Sequence, residues 1–129
     1  MSSQLDPFLS AERERKMKDE EYFIRGKIVA ICEAALAGEI GVIAASRRLS
    51  GLGLQLFDGR DEDFVPLDAI DSETDDLPVD SERLNWSADA LERKDEEIAK
   101  AEALYKDDAF AACRKLIDRF GLKDSSEGG

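Results

Sequence analysis

The feature that most constrains this chain is a run of 33 residues, from Ala88 to Phe120, that holds neither proline nor glycine. Ser87 before it is a good N-cap and Gly121 after it a good stop. Within the run, Leu91, Ile98, Ala101, Leu104, Tyr105, Ala109, Ala112, Cys113, Leu116 and Phe120 fall on one face at helical spacing. Glu96 with Lys100 and Glu102 with Lys106 stand four apart and support the opposite face. A continuous helix of this length spans about 50 Å at 1.5 Å per residue. Such a helix cannot bury its apolar stripe alone, so the rest of the chain must supply a partner of similar length.

The N-terminal segment meets that demand. Between Ala11 and Ala37 there is no proline, and Gly26 is the one glycine among strong helix formers. Ser10 is placed to cap this helix, and Glu12–Lys16, Glu14–Lys18 and Glu21–Arg25 are spaced as favourable pairs. Ile24, Ile28, Ile31 and Ala35, widened by Cys32 and Leu36, form its inward stripe, and Gly38 ends it. A short second helix is predicted from Glu39 to about Leu49, with Ile40, Ile43, Ala44 and Leu49 inward and Ser50-Gly51 as its stop. The expected fold is therefore all-α: an antiparallel bundle of two long helices plus one short helix. At 129 residues it is expected to be a single helical domain, with 1–9 and 122–129 frayed and 52–86 an acidic connecting segment.

Charge is distributed very unevenly. The chain has 30 acidic and 18 basic residues, a formal charge of -12. Residues 1–57 are balanced and 83–129 nearly so. Residues 58–82 hold eleven acids against Arg60 alone. Within that segment Leu52–Phe57 and Phe64–Ile70 flank Asp58-Gly-Arg-Asp-Glu-Asp63. They either pair as a small hairpin, with Pro66 demoting the second to an edge strand, or clip an irregular loop onto the helices.

Several functions are excluded or disfavoured by composition. The chain has no histidine, which removes Ser-His-Asp and Cys-His triads and imidazole-bound zinc. Its acidity opposes binding to nucleic-acid phosphates or an anionic membrane. The N-terminus lacks the basic start and apolar core of a signal peptide, and no apolar run is long enough to cross a bilayer. Cys32 and Cys113 lie 81 positions apart without a CxxC spacing and read as small buried hydrophobes. A reducing, cytoplasmic location is expected.

The acidic segment does not match a known cation loop. Counted from Asp58, position 3 of a calcium loop is Arg60 and position 6 is Asp63. Counted from Asp71, position 6 is Asp76 where the turn requires glycine, although Glu82 falls at position 12. Gly51-Leu-Gly53 lacks the third glycine of a dinucleotide fingerprint. Paired carboxylates for glycoside chemistry would need an apolar cleft and an aromatic platform, which nothing in the pattern supplies. No catalytic residue, metal or cofactor is therefore assigned. Arg47-Arg48 reads as a solvated pair or as an internal partner for the acidic segment. Trp86 reads as a staple contact with Ala90 or Leu91, or as an aromatic anchor.

Two stretches carry a resemblance. Gly38-Glu-Ile-Gly-Val-Ile-Ala-Ala-Ser-Arg-Arg-Leu49 with Ala69-Ile-Asp-Ser-Glu-Thr-Asp-Asp-Leu-Pro78, and Trp86–Phe120 with Lys94-Asp-Glu-Glu-Ile98 and Ala112-Cys-Arg-Lys-Leu-Ile117, are similar to a group of small bacterial proteins without assigned activity. In overall character the chain also resembles the immunity proteins of bacterial toxin systems, which are small, acidic and helical. That likeness implies a non-enzymatic inhibitor that masks a basic, nuclease-like toxin site. The residues expected to meet a basic protein partner are Asp61, Glu62, Asp63, Asp71, Glu73, Asp75 and Asp76, with Trp86 as anchor. The competing expectations are a helical structural or adaptor protein and a small metal-dependent enzyme or regulator using the same acids.

Overall fold

Two long helices lie antiparallel and carry most of the core. In the computed structural model, which describes residues 7–121 with side chains from residue 11, helix α1 covers Pro7–Leu36 and α4 covers Ala88–Phe120. Between them come α2 (Val42–Phe57), a 3-10 turn at Glu62–Phe64, α3 (Val65–Glu73) and a second 3-10 turn at Asp80–Asn85. Among the described residues there is no strand, and no helix is long and apolar enough to cross a membrane.

The start of α1 differs from expectation. Pro7, with its fixed φ and missing N–H, begins the helix, so Ser10 lies inside it and is not its cap. Residues 7–9 are helical; the rest of the ends expected to fray, 1–6 and 122–129, lie outside the described residues. Gly38 stops the helix at φ 79°. Its N–H donates to Ala35 and the N–H of Glu39 reaches back to Ala34, the paired bonds of a Schellman turn.

The middle of the chain requires the larger correction. Helix α2 does not stop at Ser50-Gly51, and no hairpin follows. It continues through both to Phe57 and closes at Asp58 in the left-handed region. Val42, Ala45, Leu49, Leu52 and Leu56 recur at helical spacing and all join or pack against the core. This burial outweighs the roughly 1 kcal/mol that each glycine costs a helix. Gly53 is needed for contact: a Cβ there would lie 2.6 Å from the ring of Phe64. Phe64–Ile70 is likewise not an edge strand. Pro66 sits in the first turn of α3, where its absent N–H costs nothing, and Phe64, Leu67 and Ile70 are buried at helical spacing. The bundle thus has two further helices between the long pair where one short helix was expected.

The same stripe residues named for α1 and the C-terminal half of α4 form the core: Ile24, Ile28, Cys32 and Ala35 against Ala109, Ala112, Cys113 and Leu116. Leu104 is an exception at 70% exposed. The buried positions of α4 begin at Ala109, and none lies between Ala88 and Asp108. Leu104 also points about 100° away from Tyr105, which does lie on the covered stripe. At the other end of the pair, residues 11–23 of α1 are exposed throughout, and Met17, Tyr22 and Phe23 are among the exposed large apolar side chains.

Candidate functional site

The acidic segment is built around arginines that come from the helices. Arg47, on α2, is the most heavily used. Its Nε donates to Asp71 at 3.2 Å, one terminal nitrogen to Glu82 at 2.7 Å and to the carbonyl of Leu77 at 3.3 Å. The other donates to the carbonyl of Thr74 at 2.6 Å. A planar guanidinium can bridge four acceptors in this way; an ammonium cannot. Arg48 adds a fork onto Asp80 at 2.9 and 3.3 Å. Asp80 sits at φ 55°, and this pairing fixes a turn that a non-glycine residue adopts only at a cost. Thr74 closes α3 by donating its hydroxyl to Ile70, fully inside the protein.

A third arginine does the same at the far end. Arg119, in the last turn of α4, donates to both oxygens of Asp61 at 2.9 and 3.2 Å and to Asp63 at 2.7 Å. Its guanidinium also lies 4.8 Å from the ring centroids of Phe57 and Phe120. Asp61 caps the turn that follows by accepting the N–H of Asp63. The hydrogen bond from Arg119 holds the Asp61 carboxyl below its ordinary pKa, and the same pairing raises that of Arg119.

The sequence-predicted residues therefore divide into two groups separated by α3, a helix of about 12 Å. Asp61, Glu62 and Asp63 lie near the C-terminus of α4. Asp71, Glu73, Asp75 and Asp76 lie at the end of α3, and the first two of these are helical, not on a loop. Glu73 accepts the hydroxyl of Tyr105, which raises the tyrosine pKa. Asp76 faces Lys94 at 3.6 Å, and Lys94 in turn stands 5.8 Å above the ring of Trp86. Trp86 is half exposed beside that lysine. The side chains of Asp58, Glu62 and Asp75 are exposed and make no hydrogen bond or ion pair among the described residues. No group of three or more acids and cysteines is placed to hold a metal ion among the described residues.

Two contributors were not apparent from the sequence. Glu102 does not support the solvent face of α4 with Lys106. Its carboxylate crosses to α2 and accepts the N–H groups of Val42 and Ile43 at 2.6 and 2.9 Å, so it caps a helix whose own N-cap, Gly41, has no side chain. A Cβ on Gly41 would meet that carboxylate at 2.8 Å and push it from the two N–H groups it caps. Arg119 lay in the expected helix, but a pairing 58 positions away leaves no local signal. Compared with family models, with curated proteins and with solved structures, the chain matches none.

Proposed function

We propose that this chain is a non-enzymatic binding module for a basic protein, of the kind that masks a cationic toxin site. The observation that carries the reading is a charge excess held on an ordered surface. Eleven acids of residues 58–82 meet Arg60 and four cations from outside the segment: Arg47, Arg48, Lys94 and Arg119. A net charge of about six remains uncompensated there. The arginine clamps order the backbone, while Asp58, Glu62 and Asp75 stay free for a partner. Such preorganisation lowers the entropy cost of association, and the residual field steers a basic surface toward it. Glu62 borders a groove of about 380 Å³ that Asp63, Pro66, Asp108, Ala112 and Lys115 also line. An acidic edge beside apolar floor atoms suits a lysine or arginine side chain.

Asp71 belongs to the scaffold in this reading, because Arg47 holds it. Glu62, Asp75 and Asp58 carry the steering. A second reading, a helical adaptor, is favoured by the exposed Met17, Tyr22 and Phe23 on the unpacked half of α1. One experiment separates the two. A partner is captured from the native host at low salt, identified by mass, and its association rate with the parent and with the Asp58→Asn/Glu62→Gln/Asp75→Asn variant is measured across a salt series. The proposal expects a basic partner and a variant that associates several-fold more slowly with a shallower salt dependence. Equal rates at every salt concentration would move the contact to the arm of α1.

A further inference from the structure

From the register of the two long helices we infer that Cys32 and Cys113 form a redox-sensitive pair, able to close a disulfide between α1 and α4. The helices run antiparallel, and the guanidinium of Arg25 lies 5.6 Å from the ring centroid of Phe120, which places these two residues at one level of the pair. Seven residues onward along α1 is Cys32, and seven residues back along α4 is Cys113. Seven residues are close to two helical turns, so both side chains return to the shared face and stand opposite each other. One turn further on, Ala35 and Phe110 line the same cavity, as this register requires.

The residues around the pair are small. Ala35 on α1 and Ala109 and Ala112 on α4 are all buried beside the two cysteines. Small side chains at a crossing draw helix axes to the near end of the usual 8–10 Å range, which brings facing cysteines toward disulfide reach. Both thiols are fully buried. The neighbouring Cys113 thiol and burial push the Cys32 thiol above its ordinary pKa, and the same pairing lowers that of Cys113, while burial of both keeps an oxidant out of the closed bundle. Oxidation therefore waits on a transient parting of α1 from α4.

Oxidised glutathione is a sufficient oxidant. One protein thiolate attacks its disulfide, forming a mixed disulfide and releasing one glutathione thiol. The second protein thiolate then attacks the protein sulfur of that mixed disulfide and releases the other. Two protein thiols are oxidised and one glutathione disulfide is reduced to two thiols. The product closes a loop of 81 positions and ties the two core helices together.

The test equilibrates the purified full chain in glutathione buffers from fully reduced to fully oxidised, followed by alkylation and intact-mass measurement. The expected result is a monomer that loses about 2 Da and both alkylation sites together, and whose melting temperature rises by about 10 °C. The Cys113→Ser variant should take up glutathione on Cys32 without the internal loss. Retention of two alkylatable thiols in the oxidised buffer would overturn the inference. So would glutathione carried on both cysteines, or a disulfide between chains. The wild-type mass decides the matter even if the variant does not fold.

Discussion

Replacing Arg47 should unfasten the segment after α3 and cost more than any other surface charge in the molecule. Its side chain is 21% exposed and that of Asp71 31%, so this pair is partly shielded from water. Removing the arginine leaves Asp71 without its charged donor, an interaction of about 1.5–3 kcal/mol. The carbonyls of Thr74 and Leu77 also lose their donor, at about 1 kcal/mol each where water cannot replace it fully. Glu82 is 54% exposed, and its pairing adds no more than about 0.5 kcal/mol. Partial solvation of the vacated site reduces the total, so Arg47→Ala is expected to lose about 3 kcal/mol. Arg47→Lys keeps the charge but can serve only some of four acceptors spread over three nitrogens, and should lose about half as much.

Urea unfolding measured by far-UV circular dichroism gives these values. Amide hydrogen exchange at Leu77, Glu82 and Trp86 should show that the loosening is local, with protection in the α1–α4 core kept at the global limit. In a double-mutant cycle, Arg47→Ala and Asp71→Asn should couple by more than about 1 kcal/mol. A loss below about 1 kcal/mol for Arg47→Ala, or a lysine variant as stable as the parent, would refute the clamp.

Three further outcomes follow from the same contacts. Leu116→Ala should cost about 3 kcal/mol in urea unfolding, since the side chain is fully buried, while Leu104→Ala should stay within about 0.5 kcal/mol; comparable costs would place the stripe of α4 wrongly. Gly26→Ala meets open space inside α1 and should raise stability by up to about 1 kcal/mol, whereas Gly53→Ala drives a Cβ into the Phe64 ring and should lower it by about 1–3 kcal/mol by the same measurement. Arg119→Ala should lower the melting temperature at neutral pH, and the gap to the parent should narrow in acid: a carboxyl whose folded pKa is depressed stabilises above its unfolded value near 3.9 and loses that contribution as pH falls through the folded value. A gap that persists unchanged in strong acid would assign the effect to the Phe57 and Phe120 contacts.

Those contacts show why the fold was only partly legible. Wherever a helix has a continuous stripe and a local stop, the residues identify it: Ile24 to Ala35 closed by Gly38, and Ser87 to Gly121. Local signals misled where tertiary packing overrode them. Ser50-Gly51 has the composition of a stop, yet the helix continues because Leu52 and Leu56 extend a stripe that Phe64 and the core cover. Pro66 disfavours a strand centre and equally suits a first helical turn, and the choice between them depends on where Leu67 and Ile70 are buried. Leu104 joins the stripe by spacing alone, and spacing does not show where the buried part of α4 begins.

The acidic segment was harder to read because its meaning depends on cations distant in sequence. Counting residues 58–82 alone gives one base against eleven acids, the pattern of a free charged loop. Arg47 and Arg48 read equally as a solvated pair or as an internal partner for the acids, and the structure selects the second. Arg119 and Lys94 carried no such signal. Their pairing exists only once α4 has been laid along the segment, and it changes what the acids do. Asp61, Asp63 and Asp71 hold the backbone in place, and neutralising any of them tests folding as much as recognition. Of the acids expected from the sequence to meet a partner, Glu62 and Asp75 are the ones whose charge can be removed without opening a clamp. A loss of binding on changing those two would therefore report on the surface a partner meets, which the clamped acids cannot do.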